Sequence, residues 1–233
     1  MKKLILAAFA LTTAASVFAQ GTIYLGNRFT GTPAVTTHIY APLGLGDMVS
    51  ITGNAATGDT PAGTANYGGR ALIGASGPSA QYGGNTTLAQ FVAAVGFGVD
   101  AGSLMPVGQT TTFRTGTGAG FLGQIVSTLT GPGFDKAGPG EWTFSIVAWD
   151  NSSGLYPTWA EAKPAWENML IAAGMMKPFN INSLGGGTVF PVYPNQVGGA
   201  LTSFNIYFVI PEPGSFALLG LGAAALLIFR RRK

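Results

Sequence analysis

Residues Glu141 to Trp149 alternate with a period of two. Trp142, Phe144, Ile146 and Ala148 fall on one side of an extended chain, and Thr143, Ser145, Val147 and Trp149 fall on the other. A helix would scatter that pattern around its axis, so the run is predicted to be a strand. Asp150-Asn151-Ser152-Ser153-Gly154 then supplies turn residues that end it. A strand with a tryptophan on each face can enclose both rings only if it is covered on both sides. If it is not, one ring is left exposed.

The same period recurs along the chain. Thr22 to Phe29 places Ile23, Leu25 and Phe29 opposite Tyr24 and Arg28, and Val35 to Tyr40 is a second short run. Leu88 to Val99 groups Phe91, Ala93, Val95, Phe97 and Val99, with Gly96 and Gly98 favouring one or two strands over a helix. Arg70 to Gly74, Thr110 to Arg114 and Gln124 to Leu129 are further β candidates. Ser203 to Ile210 alternates Phe204, Ile206, Phe208 and Ile210 against Asn205, Tyr207 and Val209. Gly44 to Gly69 reads as a long loop. One helix is expected: Thr158 and Glu161 have capping-box spacing, and Trp159, Ala162, Trp166, Met169 and Leu170 follow at helical intervals. Pro164 predicts a kink or restart inside it, and Pro178 its end. Strands joined by turn-rich loops with one helical insertion favour an antiparallel β-sandwich-like body, mainly β, over an α/β fold.

The two ends read as targeting segments. Lys2 and Lys3 precede an apolar stretch from Leu4 to Ser16. Val17-Phe18-Ala19 then offers a cleavage site between Ala19 and Gln20, the layout of a secretory signal peptide. At the other end Pro211-Glu212-Pro213-Gly214 is followed by an apolar run, Ser215 to Phe229, and by Arg230, Arg231, Arg232 and Lys233. The run is shorter than the ~20 residues that comfortably span a bilayer as a helix, but thinning and snorkelling accommodate a short span. The basic cluster keeps that end cytoplasmic and the body outside. The expected organisation is therefore residues 1–19 as signal peptide, 20–209 as exported domain, and 210–233 as anchor with its basic stop.

This tail resembles the PEP-CTERM sorting signal of Gram-negative bacteria. The resemblance implies that Pro211, Glu212 and Pro213 are recognition residues in a substrate. An exosortase, a transpeptidase-like membrane enzyme, would cut near them and remove the transmembrane helix. Two prolines keep the segment extended and short of N–H donors, which suits presentation to such an enzyme. The body looks like exported proteins of unknown function that share a start like Gly21-Thr22-Ile23-Tyr24-Leu25-Gly26-Asn27-Arg28, a middle like Thr112-Phe113-Arg114-Thr115-Gly116, and a strand ending like Val147-Ala148-Trp149-Asp150. That likeness brings no activity with it.

Without the two ends the formal charge of +3 disappears. The body keeps six basic and eight acidic residues, a net −2, and it has no basic stripe for a phosphate backbone, so nucleic acid is not an expected partner. The chain has no cysteine, which excludes thiol catalysis and thiolate metal sites. His38 is the only histidine, and no G-x-S-x-G elbow accompanies it, so it reads as a strand residue and not as a triad base or zinc ligand. Gly118-Ala119-Gly120-Phe121-Leu122-Gly123 spells G-x-G-x-x-G, but Gly131-Pro132-Gly133 and Pro139 break the stretch where a βαβ unit needs its helix and next strand. The Asp150 loop offers oxygens to calcium but reads first as an Asx turn. No metal site, cofactor or catalytic residue is expected.

The expectation is a non-enzymatic surface or extracellular-matrix protein. Its partners are signal peptidase, an exosortase-like enzyme and, transiently, the inner membrane. The alternative is an exopolysaccharide-binding module that stacks sugar on Trp149, since exposed aromatic surface tends to mark recognition.

Overall fold

The computed structural model describes residues 20–76, 82–186, 191 and 201–209. The expected signal peptide, Pro211 to Pro213, the apolar run and the basic stop lie outside the described residues.

The strands are β1 (Thr22–Leu25), β2 (Arg28–Phe29), β3 (Val35–Thr36), β4 (Ile39–Tyr40), β5 (Thr87–Val95), β6 (Met105–Thr112), β7 (Ile125–Thr128) and β8 (Gly138–Asp150). After the helix α1 (Trp159–Glu167) come β9 (Ala173–Met175), β10 (Phe179–Leu184) and β11 (Phe204–Asn205). The protein is mainly β. One antiparallel sheet has the order β10-β8-β5-β6. Its spine is β8, which pairs with β5 from Trp142 to Asp150 on one edge. The other edge is shared, with β10 against the first half of β8 and β9 against Val147 to Trp149. Among the described residues no regular second sheet faces it. Three two-stranded ladders stand there instead: β1-β7, β2-β3 and a parallel pair, β4-β11.

The alternation in β8 has a direct structural meaning. Trp142, Phe144, Ile146 and Ala148 join Ala89, Phe91 and Ala93 of β5 in a core closed by Ile23, Leu25, Leu129 and Phe204 from the ladder side. On the opposite face Val147 and Trp149 pack with Val92 against Trp159, Ala162 and Ala165 of α1. The polar half of that face is enclosed too. The Thr143 hydroxyl donates to the Gly96 carbonyl at 2.7 Å and the Ser145 hydroxyl to the Met176 carbonyl at 2.6 Å. β8 is thus covered on both sides, and Trp142 and Trp149 are 1% and 0% exposed.

The helix begins as its sequence predicts. The Glu161 carboxylate accepts from both the Thr158 N–H and the Thr158 hydroxyl, each at 2.9 Å. The buried Gln90 side chain on β5 accepts from the Trp159 N–H at 3.0 Å and donates to the Gly108 carbonyl at 2.8 Å. One side chain therefore satisfies a first-turn donor of the helix and fixes it to the sheet. The C-terminal expectation fails. The helix runs through Pro164 only to Glu167, with Asn168 as its cap, well short of Pro178. Met169 takes a left-handed φ of 59°, and the Leu170 and Met169 N–H groups bond back to the Ala165 and Trp166 carbonyls, which is a Schellman stop. The chain then enters β9 and β10, neither of which was expected.

Other expectations hold in phase but not in length. Ile23, Leu25 and Phe29 are buried together, although the first run breaks into β1 and β2 around Gly26 and Asn27. Phe204, Ile206 and Phe208 are buried, but only β11 is regular strand. Val95 and Phe97 are exposed, unlike Phe91 and Ala93, because β5 ends at Val95 and Gly96, at a φ of 100°, turns the chain away.

The long loop, residues 44–69, is organised by its carboxylates. Asp47 accepts both arms of the Arg70 guanidinium, at 3.0 and 2.8 Å, and the Leu43 and Val49 N–H groups at 2.9 and 3.2 Å. Burial pushes the Asp47 carboxyl up. These donors and the Arg70 charge outweigh that push and hold it below its ordinary value of 3.8. A carboxyl depressed in the folded state stabilises the fold above its unfolded pKa, and that stabilisation is lost as pH falls through the folded pKa. The stability gap between wild type and Asp47→Asn is therefore expected to be full at neutral pH and to close below pH 3.8. Melting both proteins between neutral and strongly acidic pH checks this, and a gap unchanged with pH would refute it.

Candidate functional site

His38 does meet an aspartate and a serine. Its Nδ1 lies 2.7 Å from Asp59 Oδ1, and the Ser203 hydroxyl donates to Asp59 Oδ2 at 2.7 Å. The Ala55 N–H adds a third donor to Asp59 at 2.6 Å, and Ser203 Oγ accepts the His38 N–H at 2.7 Å. The order is wrong for nucleophilic catalysis. A triad places the imidazole between the hydroxyl and the carboxylate, so that the base takes the hydroxyl proton. Here the carboxylate is in the middle and accepts the serine hydroxyl itself, so the imidazole does not reach that proton. The Asp59 side chain is 0% and the His38 side chain 11% exposed. The cluster ties β4 and β11 to the long loop, and sequence could not foresee it, because Asp59 and Ser203 are distant from His38 and carry no spacing signal. Beside it Tyr40 and Tyr67 stack at 3.9 Å. Burial, with the Asp59 charge second, pushes the Tyr40 phenol up to about 12.

The glycan contact expected of Trp149 is corrected. The ring is enclosed between β8 and α1, 5.8 Å from Trp159, and its Nε1 donates to the Tyr156 carbonyl at 2.7 Å. Trp142 and Trp159 are also buried, and Trp166 is half-buried with its Nε1 on the Tyr207 carbonyl. Covering both faces of β8 removes the exposed ring that the glycan reading needed. In the Asp150 loop the aspartate accepts the Ser152 N–H and Asn151 accepts the Tyr156 N–H, which makes an Asx turn. The G-x-G-x-x-G stretch lies in the turn that closes the bridge between Phe113 and Leu122.

A cavity of about 600 Å³ lies at that turn. One wall is the segment from Gly26 to Thr32, which includes β2, and the other is formed by Arg114, Phe121, Leu122 and Gln124. Asn27 builds the floor. Its buried side chain donates to the Thr37 and Gly120 carbonyls at 2.7 and 2.8 Å and accepts the Leu122 N–H at 2.9 Å, joining three chain segments. Arg28 reaches from one wall over the Phe121 ring, 5.1 Å from its centroid, a cation–π distance. Arg114 stands on the other wall, its backbone N–H bonded to the Phe121 carbonyl at 2.8 Å. Gly118 makes room for it, since a Cβ there would stand 2.9 Å from Arg114 Cβ. Two of the three stretches in which the body looks like other exported proteins thus bring one arginine each to a single cavity.

Comparison with known proteins decides the tail. Residues 209–233 match the PEP-CTERM protein-sorting motif. The chain carries a PEP-CTERM sorting motif. Such a motif implies export and processing at the membrane by an exosortase-like enzyme. The match starts one residue after Phe208, whose N–H still bonds the Asp47 carbonyl at 2.8 Å, so the PEP-CTERM segment follows directly on the hydrogen-bonded body. No helix among the described residues is long and apolar enough to cross a membrane, and the Ser215 to Phe229 run lies outside them. No curated protein and no solved structure matches the chain significantly.

Proposed function

We propose that this PEP-CTERM protein is a non-enzymatic surface or extracellular-matrix protein. Residues 1–19 carry it through the inner membrane, the Ser215 to Phe229 run holds it there briefly, and an exosortase-like enzyme releases it by cutting near Pro211 to Pro213. The observation that carries this reading is the PEP-CTERM match at residues 209–233, which begins one residue after Phe208, the last described residue with a hydrogen bond into the body. A cut near Pro211 to Pro213 leaves that bond on the released side. At the other end Gly21, two residues after Ala19, is the first described residue hydrogen-bonded into the body, through its N–H to the Phe134 carbonyl at 2.8 Å.

The test is the intact mass of the native protein recovered from the cell surface or medium. The expected mass runs from Gln20 to the neighbourhood of Pro213, with any added sugar visible as a further increment. A mass that retains Phe216 to Lys233 would make the tail a plain membrane anchor and overturn the release step.

A further inference from the structure

We propose that the cavity between Arg28 and Arg114 binds an oxyanion, a carboxylate or phosphate group, carried on a hydroxyl-rich ligand. The body is net acidic, so a cationic site does not follow from its overall charge. Among the described residues Arg70 is committed to Asp47 and Lys163 stands 3.8 Å from Glu167, while neither Arg28 nor Arg114 makes an ion pair. Among the described residues no aspartate or glutamate lines the cavity. Two guanidinium groups at one concave site, with no carboxylate to neutralise them, leave a positive potential that a ligand anion would complete. Guanidinium forks match the oxygens of carboxylates and phosphates in pairs.

The site is also preorganised. Asn27, three times bonded and buried, fixes the strand end that carries Arg28. Phe121 lies under the Arg28 guanidinium and its carbonyl accepts the Arg114 backbone N–H, so one residue orients the Arg28 side chain and anchors the backbone that carries Arg114. One donor group is therefore held before binding and the other is carried on a fixed wall, which lowers the ordering cost of binding. The cavity volume, about 600 Å³, is that of a small-molecule site. Beside the arginines, Thr30, Thr32 and Gln124 offer hydroxyl and amide groups suited to a polyhydroxylated ligand.

The experiment titrates the full chain in mild detergent with three probes: a galacturonate trisaccharide, its methyl ester, and inorganic phosphate. Calorimetry and thermal shift read the binding. The acidic trisaccharide is expected to bind and its neutral ester to bind on the order of tenfold more weakly or not at all, the loss expected for a charged hydrogen-bonding partner. Arg28→Ala and Arg114→Ala should each weaken binding by a similar factor, and the double variant should abolish it. Both side chains are exposed, so these variants keep the fold, which circular dichroism verifies. If phosphate binds as well as the uronate, the oxyanion alone is read. If the uronate binds more tightly, the sugar is read too. Either outcome supports the site. Equal binding of acid and ester, binding that survives the double variant, or no binding of any probe at millimolar concentration would overturn it. These results do not depend on whether the tail is cut.

Discussion

Trp149→Ala is expected to destabilise the protein by about 3–5 kcal/mol, the cost of deleting a large core aromatic. For a body of this size that lowers Tm by roughly 6–20 °C. The ring is fully enclosed, packs against Trp159 of the helix, and donates through Nε1 to the Tyr156 carbonyl. Its removal leaves a void between β8 and α1 and an unsatisfied carbonyl in the segment before the helix. A truncation in a rigid interior collapses only partly, so the void persists. The measurement is a thermal melt followed by circular dichroism, with Trp166→Ala as comparison. Trp166 is half-buried, and its loss should weigh less. A Trp149→Ala protein that melts within about 2 °C of wild type would mean that the helix does not cover this face of the sheet.

That one residue shows where sequence reading stops. The alternation in Glu141 to Trp149 made the strand legible, together with the two sides onto which its residues fall. Whether the second side met solvent or protein was not a property of the strand. It depended on α1 crossing β8, a contact between segments whose patterns are independent. The helix start was legible for a local reason, since Thr158 and Glu161 satisfy each other three residues apart. Its early end was not, because the stop uses Met169 in a left-handed conformation that favours glycine. β9 was hidden for a related reason: Ala173-Gly174-Met175 continues an apolar pattern that suits a helix equally well. The sorting motif lay wholly within a short, contiguous stretch, so it could be read in full. The cavity is the opposite case. Arg28 and Arg114 were visible as residues within two separate stretches, and only the bridge between Phe113 and Leu122, with Asn27 bonded across it, brings them to one place.

The second large effect is expected at Asp59. Asp59→Ala should cost about 3–5 kcal/mol, the range for breaking a buried charged network by removing one partner. Its carboxylate collects the Ala55 N–H, the Ser203 hydroxyl and His38 Nδ1, and these groups belong to three separate stretches of chain. Because a carboxylate only accepts, its loss strands three donors at once, and each buried unpaired donor carries its own desolvation penalty. Ser203→Ala removes one donor to Asp59 and the acceptor of the His38 backbone N–H but leaves the other two Asp59 bonds intact, so it should cost less, about 1–3 kcal/mol. Asp59→Asn keeps one acceptor oxygen and should fall between them. The damage should also be directional. Ser203 leads into β11, where the Phe204 and Asn205 N–H groups bond the His38 and Ile51 carbonyls. Those two amides should therefore exchange hydrogen faster in Asp59→Ala, while β5 and β8 amides keep their rank. If all amides accelerate together, the cluster supports the whole core and not this strand in particular. If Asp59→Ala melts like wild type, the cluster is incidental. The directional outcome would give the cluster a mechanical role: it holds the last body strand against the fold at the point where the PEP-CTERM tail departs, so that processing can act on the tail while the body stays closed.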